Sequence, residues 1–159
     1  VERLGDLPVE LGWSSSWRLR VARAGDEGAV ESLLGRLSLP LDGLRECFPA
    51  SYVVAVEGSD IVGVAGLERH GHDGLLRSVA VEPRLQRTGL GAALVDERLA
   101  EARKQGLQSV SLLTTTAREY FLTKGFHDAP REAAAPAVAK SSEFTKACPS
   151  TAAHLVWRP

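Results

Sequence analysis

Between Leu75 and Gly106 the chain reads LLRSVAVEPRLQRTGLGAALVDERLAEARKQG, and this stretch limits the fold more than any other. Its opening is apolar enough for a buried strand, Pro83 stops that strand, and a helical repeat of apolar positions follows the glycines. Gly106 stands where a helix ends on a left-handed residue. A strand feeding a helix through a short loop with two glycines sets backbone N–H groups at a helix N-terminus, unobstructed by Cβ atoms and reinforced by the helix dipole. That arrangement suits an anion, although a Gly-x-Gly at a helix start also suits a plain turn. Two phosphate motifs are excluded. No Gly-Lys-Ser/Thr follows, as a Walker loop requires, and Leu94 occupies the third glycine position of the dinucleotide fingerprint.

The flanking sequence alternates strands and helices. Trp17, Leu19 and Val21 alternate with arginines, which predicts a strand, and Asp26 is placed to cap a helix running to about Leu37. SLPLDGLRECFP is turn-rich, with room for a short helix. SYVVAVEG and IVGVAGLERHG form a hairpin across Gly58-Ser59-Asp60, and HGHDG turns into LLRSVAV, giving a three-stranded meander. LQSVSLLT predicts a further strand, Thr115 to Lys124 a helix, the tail to Phe144 a short helix, and STAAHLVW a last strand. Together these predict a mixed α/β sheet, mostly antiparallel, with one strand-helix-strand crossover. Residues 1–16 show no period and read as an arm or extension before a domain over 17–159.

Composition narrows the function. With 159 residues, a single domain is expected. Nineteen Lys and Arg against twenty Asp and Glu leave a net charge of −1, which disfavours general nucleic-acid binding, and no apolar run is long enough for a membrane helix. Cys47 and Cys148 have neither the spacing nor the neighbouring histidines of a metal site, so no metal is expected and the thiols read as reduced and cytoplasmic. The chain starts at Val1 and holds no Met, so the numbering begins after a removed initiator or inside a longer chain. The opening residues lack the pattern of a signal peptide.

SVAVEPRLQRTGLGAALV resembles the acetyl-CoA-binding motif of the GNAT family of N-acetyltransferases, Q/R-x-x-G-x-G/A after a strand ending in V-x-P. Gln86, Gly89 and Gly91 fill its fixed positions. The resemblance implies a sheet splayed open at the acetyl-CoA site. It puts backbone amides of Arg87, Thr88, Gly89, Leu90, Gly91 and Ala92 on the pyrophosphate, and the backbone of Val79, Ala80 and Val81 beside the pantetheine arm. Arg84 and Arg87 become side-chain partners for phosphates.

LLTTTAREYFLTKGF resembles the family's next strand and helix, with Ala117, Gly125 and Phe126 matching. Thr114 stands where many members have Asn. Phe121, counted among the acetyl-CoA contacts, stands where many have the tyrosine that protonates the leaving thiolate. Tyr120 is its neighbour, about 100° round the helix, so it is expected to point elsewhere, as a core or rim aromatic; it is kept as a catalytic candidate. The Leu-Thr-Thr version is similar to the acetyltransferase domain of N-acetylglutamate synthases. There a hydroxyl at the Thr114 position assists the thiolate, but that group's base position falls on Leu75, which takes no proton. From Arg18 to Val156, SLPLDGL, VGVAGLE, LLRSVAV, LLTTTA, GF and EFTKACPSTAA resemble the small arsenic-resistance-associated N-acetyltransferases. Cys148 then either touches an arsenic species or is a buried structural thiol.

Acetyl transfer needs a neutral amine. An alkylammonium with pKa about 10.4 is neutral in fewer than about one molecule in a thousand at pH 7, so the site must remove a proton. Glu68, His70, His72 and Asp73 fall near the expected cleft, and Glu68 is the chosen base, acting directly or through water. The expectation is direct attack of a small-molecule amine (an amino acid, an amino-acid-like toxin or an arsenic-bearing amine) on acetyl-CoA, in a chain able to pair as a homodimer. The alternative from another class is a CoA-binding sensor or interaction module.

Overall fold

The computed structural model describes residues 17–147 and 151–159. The proposed arm at residues 1–16, and Cys148, lie outside the described residues. In chain order the elements are β1 (Trp17–Val21), α1 (Glu27–Arg36), α2 (Leu44–Cys47), β2 (Tyr52–Glu57), β3 (Asp60–His70), β4 (Asp73–Val81), α3 (Leu90–Lys104), β5 (Ser109–Thr114), α4 (Arg118–Thr123), β6 (His127–Asp128), α5 (Pro136–Ala139) and β7 (Ala153–Trp157). The strands form one sheet in the order β1-β2-β3-β4-β5-β7-β6. Among the described residues only β4 and β5 run parallel, and α3 makes the crossover between them. The expected mixed, mostly antiparallel architecture is therefore the observed one.

Burial on both faces of the sheet explains the apolar runs. Along β2, Tyr52, Val54 and Val56 pack with Val30, Leu33 and Leu34 of α1, while Val53 and Ala55 face Leu90 and Leu94 of α3. Alternate residues thus meet opposite helices, which demands an uninterrupted apolar strand. The β2–β3 turn is tight, with Glu57 opposite Asp60. Asp26 sits before α1 as expected, but its carboxylate does not cap that helix. It accepts hydrogen bonds from Arg20 at 2.7 Å and from the Arg23 N–H at 2.8 Å, because a 3₁₀ turn at Ala24–Asp26 aims it back at β1. α4 starts at Arg118, later than expected, because the Thr114 hydroxyl holds the preceding turn.

Two irregularities shape the middle of the sheet. Gly66 of β3 lies opposite Arg77, yet Val64 lies opposite Ala80, so β4 carries one extra residue around Ser78 and Val79. Ser78 takes φ +59°, unusual for a residue with a side chain. Gly66 lies under the Tyr52 ring, where a Cβ would stand 2.4 Å from Cε2. In addition, β4 and β5 pair only from Asp73 to Leu75, so among the described residues Leu76 to Val81 have no strand beside them on the β5 side.

Candidate active site

The gap between β4 and β5 opens a cleft of about 320 Å³. Its walls come from the loop Ser38–Pro40, from Leu76–Val79 on β4, from Leu112–Ala117 with Tyr120 and Phe121, and from Glu143 in the π-helical turn Glu143–Ala147. The lining is largely apolar, so charges inside it act more strongly than they would in water.

The glycine loop follows β4 beyond Val79, the last β4 residue on the cleft wall. After Pro83, Gln86 is extended, Arg87 takes φ +67°, and Gly89 takes φ +95° immediately before Leu90, the first residue of α3. Among the described residues no side chain caps this helix at Gly89, so its first N–H groups face what lies beyond that residue. Leu90 is fully buried and anchors the turn, and the Thr88 hydroxyl donates to the Leu85 carbonyl at 2.5 Å. Gly91 abuts Val81, where a Cβ would lie 3.8 Å from Cγ2. The loop therefore stands at the end of the unpaired edge of β4.

That edge carries backbone polar groups. Glu82 donates its N–H to Val62 of β3, and in an antiparallel ladder successive residues alternate sides, so Val81 and Val79 present N–H and C=O to the gap. Ala80, between them, faces β3, opposite Val64, and offers the gap no such groups. The Gln86 side chain donates to the Val81 carbonyl at 3.1 Å, tying the loop to the strand. A thioester donor with an amide-bearing arm and a pyrophosphate fits this pairing of free strand edge and helix N-terminus. Arg84 is paired with Glu57, whereas Arg87 is exposed on the loop.

At the far end Arg77 is buried between two carboxylates. Its Nη1 is 3.3 Å from Glu68 and its Nε 3.6 Å from Glu143, with side-chain exposures of 1%, 5% and 6%. Nη2 donates to the Pro40 carbonyl at 3.3 Å. Burial works against the guanidinium charge, but Tyr52, Glu143 and Glu68 outweigh it and hold Arg77 protonated. Glu68 also meets His70 Nε2 at 2.9 Å. Cys47 lies beside this group, and burial, then the field of Glu68, push its thiol up to about 11, so it is a poor nucleophile at neutral pH.

The sequence candidates are thus divided. Thr114, Tyr120, Phe121 and Val79 line the cleft, whereas Glu68 stands behind Arg77 and is not on the wall. Asp73 accepts from Ser109 at 2.7 Å, and His72 is exposed at the β3–β4 turn. Tyr120 does not turn away from the cleft as its offset from Phe121 suggested; at the start of the short α4 it stands on the rim with its ring edge on Phe121. Burial, then Asp96, raise its hydroxyl above the ordinary tyrosine range, so it stays protonated. The Thr114 oxygen accepts the Ala117 N–H at 3.0 Å, leaving its own O–H able to donate. Sequence reasoning missed Arg77, Ser78 and Glu143. Arg77 interrupts an apolar strand, which was the available signal; nothing in the local sequence points Glu143 inward.

The sequence profile of the Acetyltransferase (GNAT) family matches residues 24–126, and the chain belongs to that family of acyltransferases. No curated protein sequence matches the chain. Among solved structures it is similar to N-acetylglutamate synthase from Neisseria gonorrhoeae in complex with coenzyme A and N-acetyl-glutamate. That likeness has a TM-score of 0.77 at 21% identity over 92% of this chain and 36% of that one. Rv2747 from Mycobacterium tuberculosis, in complex with CoA, gives 0.75 at 24% identity, covering 89% and 98%. Ard1 from Thermoplasma volcanium gives 0.66 at 21%, covering 91% and 97%. The chain therefore spans little more than a third of the N-acetylglutamate synthase it resembles. Among the described residues no helix is long and apolar enough to cross a membrane.

Proposed function

We propose that the chain is an acetyl-CoA-dependent N-acetyltransferase acting on the primary amine of a small molecule by direct attack. The unpaired edge of β4, running from the cleft to the N-terminus of α3, carries this reading. In it the pyrophosphate of the donor rests on N–H groups of the Arg87–Ala92 loop, where dipole and geometry favour an anion. The pantetheine arm completes the ladder that β5 leaves open along Val79 and Val81. The thioester carbonyl then reaches the bulge at Ser78 and Val79, where backbone N–H groups can stabilise an oxyanion.

The amine enters from the side of Pro40, Arg77 and Glu143. Its nitrogen lone pair forms the C–N bond, the C–S bond breaks, and the sulfur takes a proton from Tyr120 or a hydrogen bond from Thr114. The raised Cys47 thiol, off the cleft wall, supports transfer without an acyl-enzyme. An amino-acid-like or arsenic-bearing acceptor, a cytoplasmic setting and a homodimer rest on sequence resemblance and belong to the same proposal.

The test is a thermal-shift titration with acetyl-CoA, with ATP as control, followed by CoA release across an amine panel. At about 100 times Kd, linkage gives about 2.7 kcal/mol, or roughly 5 to 10 °C. Donor binding without turnover of any amine would favour the sensor reading, and no shift at all would reduce the loop to a turn.

A further inference from the structure

We infer that the Ser78 hydroxyl donates a hydrogen bond to the thioester carbonyl and stabilises the oxyanion that forms there. The inference rests on the proposed acetyl transfer and deepens it, adding a side chain to a step otherwise served by backbone N–H groups. Ser78 stands at φ +59° within β4, in the left-handed region that glycine occupies without cost, at the point where the strand carries its extra residue. The bulge sets Ser78 and Val79 in succession on the cleft wall, where an unbroken strand would turn one of them to the other face.

The hydroxyl is held from behind. Arg77 donates Nε–H to Ser78 Oγ at 3.2 Å, and a guanidinium has no lone pair to take a proton in return. The Tyr52 hydroxyl, buried near Ser78, closes no hydrogen bond. Among the described residues the Ser78 O–H therefore has no acceptor, although the residue is only half-buried and faces the cleft. The carbonyl arrives at this place. In the proposed ladder the pantetheine arm runs along Val81 and Val79, and the next residue on that edge is Ser78. As the amine nitrogen forms the C–N bond, the carbonyl π pair moves onto oxygen, and Ser78 shares its proton with that oxygen without giving it up. The pair returns as the C–S bond breaks, while Thr114 and Tyr120 serve the sulfur from the other wall. The nitrogen loses one proton and the sulfur gains one, so neutral amine and thioester give amide and thiol with the serine unchanged. In a largely apolar cleft a fixed donor favours the oxyanion over the neutral carbonyl, and the barrier falls.

The test uses the full chain and acetyl-CoA carrying ¹³C at the thioester carbonyl, with Ser78→Ala and Ser78→Gly beside the parent. Glycine is at ease at φ +59°, so Ser78→Gly keeps the bulge. Acetyl-CoA should raise Tm alike in all three. The infrared carbonyl stretch of the bound donor should lie at lower frequency in the parent than in either variant. With L-glutamate or ethylamine, whichever turns over, both variants should lose about a hundredfold in kcat at unchanged KM for acetyl-CoA. That ratio should hold from pH 6 to pH 9, because a serine hydroxyl does not titrate there. Equal stretches in parent and variants, a kcat close to the parent's, or a ratio that changes with pH as the neighbouring charges titrate overturns the assignment. Failure of both variants to fold or to bind the donor overturns it as well, since the hydroxyl then builds the site instead of serving the carbonyl. The infrared comparison needs no acceptor, so it decides the matter even when neither amine is acetylated. A parent that does not bind acetyl-CoA sinks the assignment together with the acetyltransferase reading.

Discussion

Replacing Arg77 by methionine keeps most of the volume and removes the charge, which takes from Glu68 and Glu143 the guanidinium that both meet in a nearly dry site. Both carboxylates are about 95% buried, and their contacts to the guanidinium are 3.3 and 3.6 Å. Breaking a buried ion pair by deleting one partner costs about 3 to 5 kcal/mol. For a chain of this length that corresponds to roughly 6 to 20 °C in Tm. The pH dependence carries the diagnosis. Without the guanidinium the buried carboxylate charge is left less well balanced, and protonation relieves it, so the penalty is full near neutral pH and fades in acid. Urea unfolding of parent and Arg77→Met at pH 7.5 and pH 5 should show the gap narrowing at the lower pH. Adding Glu68→Gln to Arg77→Met should recover about 1 to 3 kcal/mol at pH 7.5. A gap under about 1 kcal/mol, or one equal at both pH values, would show that the triad is not the buried charge cluster described above.

Three further outcomes are expected. Gly89→Glu should retain the fold but lose the stabilisation by acetyl-CoA, read by thermal shift, because it sets a carboxylate beside the pyrophosphate and a side chain on a residue at φ +95°. Tyr120→Phe should lower kcat by about 10- to 100-fold at unchanged acetyl-CoA affinity if it protonates the thiolate; Thr114→Val, which also removes the bond to the Ala117 N–H, should lower both kcat and stability, the latter by about 1 kcal/mol. His154 is buried, with Nδ1 on the Pro130 carbonyl and Nε2 on Ser111, and burial lowers its pKa. Its unfolded form therefore protonates first as pH falls below about 6.5, so the parent should lose stability there, and His154→Asn should lack that share of the loss in acid titrations of Tm.

The glycine loop was legible because it is local. Pro83, Gln86, Gly89 and Gly91 act on their own backbone, and a free helix N-terminus needs no distant partner. The acceptor half rests on contacts that no local pattern sets. Glu68 was placed near the cleft from its position at a strand end, and Arg77, diagonal to it across the β3–β4 ladder, meets it from the cleft wall. Tyr120 was turned away by the helical rotation from Phe121, yet α4 begins only at Arg118, and a residue on the first turn of so short a helix still reaches the rim.

By itself the sequence determined most of the strands and helices, the crossover through α3 and the glycine loop before it, since hydrophobic period, proline and glycine act within a few residues of themselves; β6, two residues long, carries no such period. Only the tertiary structure decided which charges meet. Glu68 and Arg77 meet across the β3–β4 hairpin, but Glu143 reaches them from the far end of the chain, and the energy of a buried charge depends on its neighbours in space, which no local pattern encodes.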